Sequence, residues 1–287
     1  MKQIILTGSA SGFGLLAVKT LAEAGNKVYA TMRNVKGANA GSAAELKQWA
    51  IDNKAQVSIV ELDVTSDTSV KAAIAEITQQ SSGKIDVLIN NAGISFIGVS
   101  ESINVDQTNQ LFQVNVIAAD RMIKAVLPFM HAHKDGLILN VTSMLARNHM
   151  PVFSTYNATK AALDALSVGY YYELQTAGID VAIVQPGGYP TTDIVTKGLK
   201  AGNPDAEAHY GERMHKLKAA SIAYFTPNED SPNPQEVADV FAKLVALPKG
   251  ERPLWSIVGG GGLEEAIDHI NVSTKTLVDT MLGYMGI

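Results

Sequence analysis

The chain has 287 residues, 46% hydrophobic and 18% charged, with a formal net charge of −5 at pH 7 and no cysteine. The missing cysteines exclude disulfides, thiolate metal sites and cysteine nucleophiles. The lack of any basic run argues against nucleic acid or an anionic membrane surface as a partner.

No apolar run reaches the roughly 18 residues of a spanning helix. A strand-like run begins at Gln3, which leaves no room for a signal peptide. A cytoplasmic protein is the expectation.

The predicted elements alternate. Gln3 to Thr7 reads as a strand, Ser9 to Gly14 as a glycine turn, and Leu15, Leu16, Val18 and Leu21 recur at helical spacing up to Gly25. Strands follow at Lys27 to Met32, Val57 to Leu62, Ile85 to Ile89, Gly136 to Thr142, Asp180 to Gln185 and Pro253 to Val258. Helices are expected at Glu45 to Asn53, Ser69 to Gln80, Asp106 to His131, Ser154 to Ala177 and Asn233 to Leu247. Near-continuous apolar strands between helices predict an α/β fold: a doubly wound parallel sheet of about seven strands (a Rossmann fold), with helices on both faces. No linker divides the chain, so one domain, 1–287, is expected. It carries a proline-rich insert at 188–234, of the kind that walls a substrate, and a helical tail at 263–283.

The turn Thr7-Gly8-Ser9-Ala10-Ser11-Gly12-Phe13-Gly14 follows a strand and opens a helix, the context of a dinucleotide site. Its glycines let the backbone approach a pyrophosphate, and the helix start offers unpaired N–H donors. At the end of the second strand, Thr31-Met32-Arg33-Asn34 holds no carboxylate for a ribose hydroxyl. Arg33 is suited to a 2′-phosphate, so NADP(H) is favoured over NAD(H). Asp63 ends the third strand, where it can reach an adenine amino group or cap the next helix. Asn90-Asn91-Ala92-Gly93 ends the fourth strand, at the edge where such sheets bind ligands.

Tyr156 and Lys160 are four apart on an expected helix and share a face. One such pair is unsurprising in a chain with 9 tyrosines, so its weight depends on its surroundings. A cation roughly 4 Å from a phenol favours the phenolate by about 4 kcal/mol at an effective dielectric near 20. On that basis Tyr156 is expected to exchange protons near neutral pH. No histidine at a neighbouring strand end would activate Ser143 as a nucleophile. His131 and His133 are two apart and do not share a helix face, so no metal site is expected.

Taken together, Thr7-Gly-x-x-x-Gly-x-Gly14, Asp63-Val64, Asn90-Asn-Ala-Gly93, Asn115, Ser143, Tyr156-x-x-x-Lys160 and Pro186-Gly187 resemble the short-chain dehydrogenase/reductase family over nearly the whole length. The resemblance implies an oxidoreductase interconverting a carbonyl compound and an alcohol. Tyr156 would be its proton donor and acceptor, Lys160 the group that lowers the tyrosine's pKa and holds the nicotinamide ribose, and Ser143 the hydrogen-bond partner of the carbonyl oxygen. Asn115 would hold a water of a proton relay. The cofactor shell it implies is Gly8, Ser11, Gly12, Phe13, Gly14, Arg33, Asp63, Val64, Asn90, Ala92, Tyr156, Lys160, Pro186, Gly187 and Thr191.

Phe13, where the family often has Ile or Leu, and Ala118, where it often has Gly, are departures. The region from Asn90 to Pro186 is similar to the branch containing steroid- and retinol-type dehydrogenases. Ser95, Phe96, Leu145, Met150, Phe153 and Tyr189 are the expected pocket lining, large and apolar enough for a bulky apolar or aromatic ketone. Relatives pair through two long helices, here about 106–131 and 154–177, so a homodimer or homotetramer is expected. The competing readings are a non-catalytic NADPH-binding regulator and a sugar-nucleotide epimerase or dehydratase.

Overall fold

The computed structural model describes residues 1–287. Seven strands form one sheet: β1 (Gln3–Thr7), β2 (Lys27–Met32), β3 (Val57–Glu61), β4 (Val87–Asn90), β5 (Gly136–Val141), β6 (Ile179–Pro186) and β7 (Trp255–Val258). Their order is β3-β2-β1-β4-β5-β6-β7, and every pairing is parallel.

The order reverses between β1 and β4, and ligands bind at such a switch point outside the carboxyl ends of the strands. Thr7 and Asn90 are the last residues of those two strands. The glycine turn and the Asn-Asn-Ala-Gly segment therefore meet there.

The inner strands are buried on both sides, so alternate residues enter different cores. Ile4 and Leu6 join a cluster with Val18, Leu21 and Phe241, under α1 (Gly12–Glu23), α2 (Ala40–Asp52) and a helix near the carboxyl end, Gln235–Ala246. Ile5 joins the opposite cluster with Ile74, Ile77, Met122 and Val126, under α3 (Asp67–Gln80) and the helix Ala118–His133. This is the doubly wound arrangement expected from the apolar runs.

One expected helix is not continuous. The segment from Asp106 to His131 is α4 (Val105–Phe112), a π-turn Gln113–Ile117, and α5 (Ala118–His133). A capping box between Asn104 and Gln107 starts α4. The π-turn, a form concentrated at functional sites, carries Asn115. Pro128 lies inside α5 on its exposed side, so the backbone bond it forgoes faces water.

The remaining helices are α6 (Ser154–Leu174), α7 (Glu212–Tyr224) in the insert, α8 (Gln235–Ala246) and α9 (Glu264–Tyr284). No helix is long and apolar enough to cross a membrane.

Candidate active site

The glycine turn is held by the end of β4. Thr7 Oγ1 accepts from the backbone N–H groups of Asn91 and Ala92, at 3.0 and 3.1 Å. The Asn91 amide donates back to the carbonyls of Thr7 and Gly8, at 2.9 and 3.1 Å. Gly14 is glycine because a Cβ there would lie 2.1 Å from the Gly8 carbonyl oxygen. Gly12 is different: its φ is +55°, and a Cβ there would meet nothing nearer than Thr192 at 3.8 Å.

Gly12, Leu15, Thr191, Thr192 and the segment Ser231–Pro234 line a cavity of about 530 Å³. No side chain caps the first turn of α1. A phosphate-sized space thus faces uncapped N–H donors at a positive helix end, and these residues fit a dinucleotide.

Asn91 was absent from the expected shell although it organises the turn. Asn90, which was expected there, is nearly buried and turned into the sheet. It donates to Asn140 Oδ1 at 2.9 Å, and Asn140 in turn donates to Ser167. Its side-chain amide is therefore committed to the sheet, which leaves its backbone at the strand end to face a cofactor. The sequence alone cannot say which of two adjacent asparagines faces the turn.

At the outer strand ends, Arg33 is exposed and forms no ion pair with a protein carboxylate. The Glu61 carboxylate accepts from the N–H groups of Asn34 and Val35, at 2.6 and 2.8 Å, which shapes the loop that presents Arg33. Glu61 was missed because its sequence position is remote from Arg33. Its register partner on β2 is Met32.

Asp63 Oδ1 accepts from the N–H and hydroxyl of Thr65, which holds the carboxyl below its ordinary range; burial opposes the shift, and Arg33 and Arg121 add to it. Ser66, not Asp63, caps α3. Oδ2 is left to accept from a ligand. The Val64 carbonyl is occupied by Arg121 at 2.9 Å.

Tyr156, Lys160 and Asp164 lie on one face of α6, four residues apart. Lys160 is buried, donates to the Val141 carbonyl at 3.0 Å, and has no carboxylate within ion-pair distance. Burial pulls its ammonium down to about 8.

The Lys160 ammonium sits 5.7 Å from the tyrosine ring centroid. Burial pushes the Tyr156 phenol above its ordinary value, and the Ser143 hydroxyl pulls only partly back. Desolvation by the surrounding protein favours the neutral phenol. Ser143 lies on the facing strand end, where it accepts from Leu145 N–H at 3.1 Å and lies 3.4 Å from the Pro186 carbonyl.

Asn115 is a tie between elements. Both its amide protons are used, on the Ile94 carbonyl at 2.9 Å and Thr159 Oγ1 at 3.0 Å, while its oxygen accepts from Ile94 N–H at 2.9 Å. The side chain thus ties the loop after Gly93 to α6. With those donors spent, a water can be held only through the remaining lone pair of its oxygen or through backbone.

Pro186-Gly187 closes β6. Gly187 is required by its neighbour, since a Cβ there would lie 1.8 Å from the Gly259 carbonyl oxygen. Thr191 is exposed on the cavity, while Thr192 is buried and bonds the Tyr189 carbonyl at 2.8 Å. Phe13 packs edge-on against Tyr189, with centroids 5.2 Å apart.

Four of the expected pocket residues are buried instead. Ser95 Oγ donates to the Ile194 carbonyl at 2.5 Å, and its own carbonyl accepts from Leu199 N–H at 2.8 Å. Phe96 bridges to Leu199 and packs with Ile103 and Leu111. Tyr189 is in the main core, its hydroxyl 3.1 Å from Glu236. Phe153 is buried with its ring 5.9 Å from that of Phe225. In each case a segment distant in sequence covers the residue. Leu145 and Met150 remain half-exposed. Phe225 and Tyr224, at the end of α7, were not anticipated; Tyr224 packs against Gly188.

The short chain dehydrogenase family model matches residues 2–201. The chain belongs to that family. It is therefore an oxidoreductase of the kind that acts on CH–OH and C=O groups with NAD(P).

It is 32% identical to an uncharacterized oxidoreductase, YusZ, of Bacillus subtilis over 248 residues, covering 85% of this chain and 84% of that one. It is 32% identical to a 3-ketodihydrosphingosine reductase of Bacteroides thetaiotaomicron (85% and 83% covered) and 31% identical to human 17-beta-hydroxysteroid dehydrogenase type 1 (86% and 74% covered). Among solved structures, a short-chain dehydrogenase of Streptomyces avermitilis superposes with a TM-score of 0.75 at 24% identity, covering 99% and 97% of the two chains. Similar folds were solved with NADP, in a gluconate 5-dehydrogenase of Burkholderia cenocepacia, and with NADH, in a 3-ketoacyl-(acyl-carrier-protein) reductase of Brucella melitensis.

Proposed function

We propose that the chain is a single-domain, NADP(H)-dependent reductase of an apolar ketone, working through Ser143, Tyr156 and Lys160. The observation that carries the reading is Tyr156 itself. It is a partly exposed phenol whose pKa desolvation raises, beside the Ser143 hydroxyl and one helical turn from a buried ammonium. A neutral phenol is a proton donor.

The bound cofactor would supply the hydride to the carbonyl carbon. Ser143 orients the carbonyl oxygen, Tyr156 delivers the proton to that oxygen, and the product is an alcohol. Lys160 stands ready to stabilise the tyrosinate left behind. A cavity of about 10 Å³ bounded by Thr7, Asn90, Ala92 and Asn115 has room for about one water near the relay position.

Arg33 supports the NADP(H) preference, since its exposed guanidinium has no protein partner to leave. The substrate class rests on Leu145, Met150, Tyr224 and Phe225, and on two relatives named for a 3-ketodihydrosphingosine and for a 17-beta-hydroxysteroid. We take from these only a ketone or secondary alcohol on an apolar frame. A cytoplasmic homo-oligomer paired through α4–α5 and α6 completes the reading.

The test is NADPH oxidation against a panel of aryl and long-chain ketones. Tyr156→Phe should abolish turnover while NADPH binding, read by cofactor fluorescence, stays within about twofold of wild type. Wild-type turnover in Tyr156→Phe would remove the proton-transfer role.

A further inference from the structure

A closed circuit of buried polar groups lies one turn beyond the catalytic face of α6. Arg147 Nη2 donates to Asp164 Oδ1 at 2.5 Å, and Arg147 Nε donates to Asn271 Oδ1 at 2.9 Å. Asn271 Nδ2 donates to Gln185 Oε1 at 2.7 Å, and Gln185 Nε2 returns to Asp164 Oδ2 at 2.9 Å. Trp255 Nε1 adds a bond to Asp164 Oδ1 at 3.2 Å, and the guanidinium lies 5.8 Å from the Trp255 ring centroid. Asp164, Gln185 and Asn271 are fully buried, and the Arg147 side chain is 12% exposed. Asn271 comes from α9, where it is one of two buried residues among 21.

A buried ion pair is a poor means of stabilising a fold. Its desolvation cost rivals its attraction, and apolar residues of equal volume often do as well. The position of this one suggests another use. Arg147 stands four residues after Ser143, across the single turn Met144–Ala146. Asp164 stands four after Lys160 and eight after Tyr156 on the same face of α6. Gln185 immediately precedes Pro186, whose carbonyl lies 3.4 Å from Ser143 Oγ. The circuit therefore grips the three segments that carry Ser143, the Tyr156–Lys160 pair and Pro186-Gly187, and α9 closes it.

We propose that Asn271, through Arg147, Asp164 and Gln185, is a positioning residue for the catalytic group, and that α9 is a working part of the active site. Proton transfer depends on the Ser143–Tyr156 distance, and a misplacement of about 1 Å can cost about 100-fold in rate. Opening the circuit frees the Ser143 loop to shift relative to α6. Through Lys160 and Pro186-Gly187 the circuit touches only the nicotinamide end of the expected cofactor shell; the pyrophosphate turn at β1 and β4 has no member in it, so most of the cofactor's hold is left in place. The proposal rests on the reading of Tyr156 as proton donor given above.

Three variants test it, assayed on the full chain with the ketone that wild type reduces fastest. Asn271→Leu keeps the branched shape and removes its hydrogen bonds to Arg147 and Gln185. Asn271→Asp keeps the acceptor for Arg147 and loses the donor to Gln185. The double variant Arg147→Met/Asp164→Leu replaces the charges with apolar bulk, avoiding the uncompensated Asp164 that a single change would leave.

The expected result is a fall of about 10- to 100-fold in kcat for Asn271→Leu and for the double variant, with the NADPH Kd within about twofold of wild type and partial recovery in Asn271→Asp. Wild-type kcat in any folded variant of the three overturns the proposal, as does loss of NADPH binding in parallel with kcat, which marks a merely structural role. Tyr156→Phe run alongside separates the two readings. An active Tyr156→Phe removes both, whereas an inactive Tyr156→Phe with an unimpaired Asn271→Leu removes only this one.

Discussion

Lys160 is held in its site against its own solvation, so removing its charge should stabilise the protein while disabling it. The folded state lowers its pKa from 10.5 to about 8 through burial. A gap of that size corresponds to about 3 kcal/mol at pH values where the ammonium is charged in both states. Lys160→Met keeps the aliphatic stem and removes the charge, at the loss of the 3.0 Å bond to the Val141 carbonyl, worth about 1 kcal/mol. The variant should therefore be more stable than wild type by about 2 kcal/mol at pH 7.

The pH dependence has a defined sign. Because the folded pKa lies below the unfolded one, the folded state binds fewer protons between them. Wild-type stability attributable to Lys160 therefore rises with pH from about 8 to 10.5. The Lys160→Met advantage should be full below pH 8 and gone above 10.5. Urea unfolding of both proteins across pH 6 to about 10.5 measures the difference curve directly. A variant less stable than wild type at pH 7, with a flat difference curve, would refute the claim that burial dominates the electrostatics of this lysine.

Two further outcomes follow from the cofactor side. Gly14→Ala places a methyl 2.1 Å from the Gly8 carbonyl oxygen, so it should displace the turn and weaken NADPH binding by at least about tenfold, a loss of about 1.4 kcal/mol read by fluorescence titration. Wild-type affinity would show that the turn can move without cost. Arg33→Asp should shift the ratio of NADPH to NADH efficiency toward NADH by about 1–3 kcal/mol, the scale of a charge-assisted contact; an unchanged ratio of kcat/KM values would exclude Arg33 from the 2′-phosphate site.

Most of the scaffold was readable before any coordinates. The strands are apolar runs bounded by glycine or asparagine, and a strand buried on both faces has no other pattern to show. The glycine turn and the Tyr156–Lys160 spacing are local, so they survive translation into space unchanged. The π-turn at Asn115 was not readable. One extra residue in a helical turn leaves the apolar spacing on either side nearly intact, and only the folded backbone of residues 113–117 shows it. The burial of several expected lining residues was unreadable for a related reason. Ser95 and Phe96 have the chemistry of a pocket wall, but residues 194–199, a hundred positions later, fold over them.

Local chemistry and order along the chain thus established the sheet and the glycine turn, and singled out the Tyr156–Lys160 pair. The folded arrangement decided how far each member of that pair is desolvated. Spacing along a helix can place a phenol beside an ammonium, but burial shifts both their pKa values and depends on everything packed around them. The same holds for Asn271. Near the end of the chain it is one polar residue in a polar helix, and only the closing of α9 against β6, β7 and α6 brings it beside Arg147.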